Sequence, residues 1–174
     1  MTIPQNNVVQ STSSPAEEKG GQRRSETRRI QRAKDKEPLI IKLTQGETPV
    51  FKEKWSLLIF AAFLGFNRKR RMPLGEFDSG RGIDQSIFSS NSAWCGILSI
   101  LSLVERDDSN VLRGDPEETE FRLKLFEEYA NGGLEIISSE CEPQGYSLES
   151  FASLLPSDPS NVEGTKNPLA DITI

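Results

Sequence analysis

The clearest pattern in the chain is a helical spacing of apolar residues over about residues 52–64. These residues recur at i, i+3, i+4, i+7 and i+8, which brings their side chains to one face of an α-helix. They are Trp55, Leu58, Ile59, Ala62 and Phe63. Gly65 follows, at a place where glycine commonly ends a helix in the left-handed conformation. The pattern predicts an amphipathic helix with the basic run Arg68–Arg71 just beyond its C-terminus.

Three further segments have helical periodicity, over about residues 93–105, 116–131 and 147–155. The start at Asp115-Pro116 is typical, because aspartate caps a helix N-terminus and proline fits the first helical position. Asn131-Gly132-Gly133 is expected to end that helix. A weaker apolar segment, residues 39–43, favours a short helix that stops before Gly46 and Pro49.

These segments predict a mainly α fold class, a small single-domain helical fold flanked by disordered tails. Residues 83–89 and 134–138 are short apolar stretches outside the predicted helices, so they are candidates to pair as a short two-stranded β element. Polar composition defines the ends. We expect a disordered basic N-terminal arm over residues 1–34, a folded domain over residues 35–156 and a disordered C-terminal tail over residues 157–174.

The charge of the chain is unevenly distributed. Residues 1–75 carry 15 Lys or Arg and 7 Asp or Glu, whereas residues 76–174 carry 6 and 19. Such asymmetry indicates an acidic or polyanionic partner at one end and a basic partner at the other. The alternative is that the two halves neutralise each other in the fold and keep the protein soluble. The basic N-terminal arm has the same two interpretations, a solvated tail or a segment that folds on a phosphate backbone.

The composition excludes most catalytic chemistry. With no histidine and two cysteines, the chain lacks Ser-His and Cys-His nucleophile systems, imidazole metal ligands and a four-thiolate zinc site. Gly80 and Gly82 lack the sequence context of a phosphate-binding loop. The acids of the 116–131 helix are more simply a solvated face than a metal centre. We therefore expect no enzyme activity, no cofactor, no metal and no small-molecule substrate.

Membrane insertion is also not expected. The longest apolar run, residues 57–66, is too short to cross a bilayer. The first ten residues lack the basic and then apolar pattern of a secretory signal. These features predict a cytoplasmic protein. Cys95 lies in an apolar helical segment and is expected to be an inert core thiol.

The basic cluster after the helix predicted over residues 52–64 is the one group of residues with a clear physical role. Arg68, Lys69, Arg70 and Arg71 at a helix end can contact phosphates, so we assign them as nucleic-acid-binding residues. No pattern for reading bases accompanies them, so such binding should depend on salt and not on sequence. The alternative is that the cluster pairs with the protein's own acidic helices.

Several motifs resemble a known bacterial family. They are Lys34-Asp35-Lys36-Glu37, the Thr44–Gly46 turn, the FAAFLGF run at Phe60–Phe66, the Arg68–Arg71 stretch before Pro73-Leu74, and the FEEYANGGL run at Phe126–Leu134. Together they frame residues 34–137, and they resemble DNA phosphorothioation-associated protein 4, also called dnd system-associated protein 4.

The resemblance implies a role beside bacterial DNA sulfur modification, in which sulfur replaces an oxygen of the DNA backbone. Associated proteins in those systems restrict unmodified invading DNA, which implies a part in restriction-modification and phage defence. No catalytic residues are transferred. The expected function is a non-catalytic accessory protein that contacts the DNA backbone, partner subunits of the system, or both. The alternatives are a protein–protein adaptor or transcriptional regulator without direct DNA-backbone binding and, as a third hypothesis, a carboxylate enzyme using a divalent metal.

Overall fold

A computed structural model describes residues 28–89 and 96–155 of the 174-residue chain. The prediction of a mainly α fold is confirmed, because within these ranges the regular elements are six α-helices and no strands. The helices are α1 Glu37–Gln45, α2 Lys54–Asn67, α3 Gln85–Ser89, α4 Ile97–Arg106, α5 Pro116–Cys141 and α6 Leu148–Ser153. Residues 1–27 of the expected N-terminal arm, the whole expected C-terminal tail at residues 157–174, and Cys95 lie outside the described residues.

The centre of the fold is the pair of helices α2 and α5, whose facing residues are buried. Gly65, Gly132 and Gly133 lie inside these helices and not at their ends, so both predicted terminations were wrong. A Cβ atom at Gly133 would lie 1.8 Å from the carbonyl oxygen of Ala61, and one at Gly65 would lie 2.2 Å from that of Tyr129. These glycines therefore let the two backbones touch, which outweighs their low helix propensity.

The suggested two-stranded β element was wrong. Residues 134–138 continue α5, since Leu134, Ile137 and Cys141 repeat at helical spacing and are buried. Residues 85–89 form the short helix α3. Ile83 does make an isolated antiparallel bridge, but its partner is Ile30.

Order begins earlier in the chain than residue 35. Ile30 is 0% exposed and Ala33 is 1% exposed, and residues 30–33 are buried, although they were expected to lie in the disordered arm. Ile30 and Ile83 exchange two backbone hydrogen bonds of 2.8 Å. The apolar positions were hidden in the sequence because charged residues surround them.

The remaining predicted helices differ from the structure mainly at their ends. The segment predicted over residues 93–105 corresponds to α4, of which residues 97–106 are described as helical. The last predicted helix corresponds to α6, where Ser147 and Ser150 form a reciprocal capping box. The apolar segment at residues 39–43 lies within α1, which ends before Gly46 as expected.

Candidate nucleic-acid interface

The basic cluster lies in a tight turn at the C-terminus of α2. The backbone N–H groups of Arg68 and Arg70 donate to the carbonyls of Leu64 and Gly65, at 2.9 and 2.7 Å. Lys69 adopts a left-handed conformation, with φ at 51°. This conformation is uncommon for a residue with a Cβ atom, and it reverses the chain direction immediately after the helix.

Backbone contacts with α5 fix the turn in place. A Cβ atom at Gly132 would lie 1.8 Å from the carbonyl oxygen of Arg70, so only glycine allows the turn to come this close. The N–H group of Met72 donates to the carbonyl of Glu128 at 3.0 Å. The Asn131 side-chain amide donates to the carbonyl of Pro73 at 2.8 Å. Residues on both sides of the cluster are therefore attached to the central helix.

Arg71 forms an internal ion-pair network. Its Nε lies 2.6 Å from Oε2 of Glu128, whose side chain is 9% exposed, and its Nη1 lies 3.3 Å from Oε1 of Glu105. The Tyr129 hydroxyl donates to the other oxygen of Glu105 at 2.7 Å. Burial and this hydrogen bond raise the pKa of Tyr129 to about 12. For Arg71, the alternative of pairing with the protein's own acids therefore fits better than phosphate contact.

The other three cations of the cluster are more accessible. Arg68 is half-exposed and makes only long contacts, at 3.4 Å to the carbonyl of Leu154 and 3.9 Å to Glu140. Lys69 and Arg70 have exposed side chains and form no salt bridge with any residue in the described part of the chain. The structure thus divides the predicted site into a paired member, Arg71, and three cations without a close ion pair, Arg68–Arg70.

A second charged contact was missed by the sequence analysis. Arg28 forms a bidentate pair with the buried carboxylate of Glu127, at 2.8 and 2.9 Å, and the backbone N–H of Gln31 donates to the same carboxylate at 2.6 Å. Burial raises the pKa of Glu127, although Arg28 opposes the shift. Arg28 and Glu127 lie 99 positions apart, so no local pattern in the sequence could have paired them.

The described residues also bear on metal binding and membrane insertion. Within residues 28–89 and 96–155, no group of three or more His, Cys, Asp or Glu side chains is arranged to hold a metal ion. None of the helices described is long and apolar enough to cross a membrane.

Comparison with known proteins identifies a family. A family model described as DNA sulphur modification system-associated protein 4 matches residues 29–171, which is more than half of the chain. The resemblance predicted from the motifs between residues 34 and 137 is thereby confirmed. No curated protein and no solved structure matches the chain significantly.

Proposed function

Since the chain belongs to the DNA sulphur modification system-associated protein 4 family, we propose that it is a cytoplasmic, non-catalytic accessory protein that contacts the DNA backbone. The contact is made by the turn after α2, and partner subunits of the system supply the chemistry. The proposal extends to the restriction of unmodified invading DNA, in which this protein would hold the complex on its substrate.

One observation carries the DNA contact. Lys69 and Arg70 present two exposed cations, without a salt bridge in the described structure, on a turn that backbone contacts hold against α5. Phosphate contacts of this kind position a protein on a duplex without reading its sequence. Arg68 adds a third, half-exposed cation. We revise the site to Arg68, Lys69 and Arg70, and we assign Arg71 to holding the turn.

The test is the binding of labelled duplex DNA by the full chain across a salt series. Each phosphate contact contributes about 0.9 to the slope of log K against log salt, so Lys69→Gln/Arg70→Gln should lower the slope by about 2. Lys42→Gln/Arg113→Gln is the matched control. It removes the same charge from exposed positions, one over the ring of Tyr146 and one beside Asp115. An affinity for DNA that depends neither on salt concentration nor on Lys69→Gln/Arg70→Gln would refute the DNA contact.

The adaptor remains a second candidate, and a specific observation favours it. On α4, Ile100 and Val104 are 55% and 61% exposed, one helical turn apart. Together with the internal engagement of Arg71, this apolar strip suits contact with another protein. Purification of the native complex after nuclease treatment separates the two functions. A complex that survives nuclease and is unchanged by Lys69→Gln/Arg70→Gln favours the adaptor.

A further inference from the structure

A second cationic surface lies at the start of α2, at the other end of the helix from the basic turn. A cleft of about 470 Å³ opens there between four stretches of chain, at residues 29–32, 44–45, 52–55 and 81–87. The cations that line it are Arg29, Arg32, Lys52, Lys54 and Arg81, and the acids are Glu53 and Asp84. The cleft was invisible in the sequence because these stretches are far apart along the chain.

Three cations of the cleft, Arg32, Lys54 and Arg81, all contact one carboxylate and are called the inner cations. Glu37 accepts a hydrogen bond from Nε of Arg32 at 2.5 Å, and its Oε1 lies 3.3 Å from Nζ of Lys54 and 3.8 Å from Nη1 of Arg81. The hydrogen bond from Arg32, followed by the nearby positive charges, holds the pKa of Glu37 below its usual value. Asp78 also pairs with Arg81, at 3.3 Å. Together with the lining acids Glu53 and Asp84, these two carboxylates oppose the five cations of the cleft, which leaves one excess positive charge.

The outer cations are available to a ligand. Arg29 and Lys52 have exposed side chains, and neither forms a salt bridge within the described residues. Nη1 of Arg29 donates only to the carbonyl of Gly80, at 3.2 Å. In addition, Glu53, Lys54 and Trp55 at the start of α2 line the cleft, so the positive end of the helix dipole lies beside it. The cleft therefore offers an anion charged side chains next to a helix N-terminus.

The cleft also has apolar lining residues. Trp55 lines it and is half-buried, Ile83 is buried, and Ile87 is 41% exposed. An inorganic anion would make no favourable contact with these apolar side chains. A nucleotide would, because it joins a charged phosphate to a planar base that can stack on an aromatic side chain.

We propose that this cleft binds a nucleotide unit, with the phosphate against Arg29, Lys52 and the start of α2 and the base against Trp55. The proposal does not depend on DNA contact by the turn after α2, since the two surfaces share no residue. A free mononucleotide and a nucleotide within a DNA strand offer the same chemistry, and the experiment separates them.

The experiment is calorimetric titration of the full chain with dAMP, with a short single-stranded oligonucleotide and with inorganic phosphate. Arg29→Gln/Lys52→Gln removes the two outer cations, and Lys42→Gln/Arg113→Gln makes the same charge change outside the cleft. We expect the control to bind like the wild type and the cleft variant to bind about tenfold or more weakly, because each lost contact is charge-assisted. Inorganic phosphate should bind less tightly than dAMP. Circular dichroism verifies that each variant is folded.

Each outcome bears on the proposal. Binding of dAMP identifies a mononucleotide as sufficient, whereas binding of the oligonucleotide alone identifies a nucleotide within a strand. The proposal is overturned if neither binds the wild type with a Kd below about 1 mM, or if the cleft variant stays within about twofold of the wild type. Phosphate that binds as tightly as dAMP overturns the base contact with Trp55. If Lys69→Gln/Arg70→Gln loses duplex binding but still binds dAMP, the turn and the cleft are separate binding sites.

Discussion

The backbone contact between α2 and α5 yields the sharpest prediction about stability. Replacing Gly133 with alanine places a Cβ atom 1.8 Å from the carbonyl oxygen of Ala61, whereas real Cβ contacts essentially never fall below 3.0 Å. The close neighbour is backbone and not a flexible side chain. The helices must therefore separate locally by about 1.2 Å, the difference between 3.0 and 1.8 Å.

Two opposing terms set the size of the effect. Alanine is better than glycine inside a helix by about 1 kcal/mol. Against this, a radial gap of about 1 Å forfeits up to about half of each van der Waals contact across the interface, and overpacked cores lose about 1–3 kcal/mol or more. The separation loosens the packing between the buried faces of α2 and α5. Because the clash is with backbone, we expect the loss to lie at or above the upper end of that range, about 3 kcal/mol, which leaves a net destabilisation of about 2 kcal/mol or more.

Urea and thermal unfolding measure this loss. At about 4 °C per kcal/mol, the Tm should fall by about 8 °C or more. Gly114→Ala is the matched control, because no atom lies within 4 Å of a Cβ placed at Gly114. Its free energy of unfolding should change by no more than about 0.5 kcal/mol. A Gly133→Ala protein as stable as the wild type, or more so, would show that helix propensity dominates and that the backbones do not touch.

Three further predictions follow from buried or paired side chains. Ile30→Ala should lower the free energy of unfolding by about 2–4 kcal/mol in urea, because the side chain is fully buried; a change below about 0.5 kcal/mol would place residue 30 outside the core. Arg71→Gln should cost about 1–2 kcal/mol in thermal unfolding, since it leaves the buried Glu128 carboxylate with only a long ion pair to Lys124, at 4.0 Å, while Arg71 itself is 37% exposed. Arg70→Gln, which breaks no salt bridge in the described structure, should cost almost nothing. In the folded protein the pKa of Tyr129 is raised to about 12, against 10.0 for the free side chain, so the hydroxyl stays neutral up to about that pH. Its contribution to stability is therefore complete below about pH 10 and is lost as the pH rises to about 12; Tyr129→Phe should flatten that part of the stability profile.

The helices could be predicted from the sequence because a core-facing helix leaves a local, periodic signature. Trp55, Leu58 and Ala62 repeat at the interval that one buried face requires. The glycines were misread for a related reason. A glycine that ends a helix and a glycine that touches another backbone look alike within ten residues of sequence. Only the carbonyl of Ala61, on a different helix, distinguishes the role of Gly133.

The sequence predicted a basic cluster after α2, but not that its members differ in their contacts. Four consecutive cations look equivalent in the sequence, yet Arg71 is paired with Glu105 and Glu128, which lie 34 and 57 positions away. The contact between Arg28 and Glu127 could not be predicted for the same reason, because the two residues are far apart in the sequence. Interactions between residues so distant along the chain depend on the packing of helices, and no local pattern records that packing.

The way the turn after α2 is held has a consequence for how it would meet a ligand. Its backbone is already immobilised by the hydrogen bonds to Gly65 and Glu128 and by the glycine contact at Gly132. An incoming phosphate would then need to order only the side chains of Lys69 and Arg70, so the entropic cost of association is small. Such a pre-organised surface should show slow amide hydrogen exchange at Arg70 and Met72 in the free protein, and little additional protection once DNA is bound.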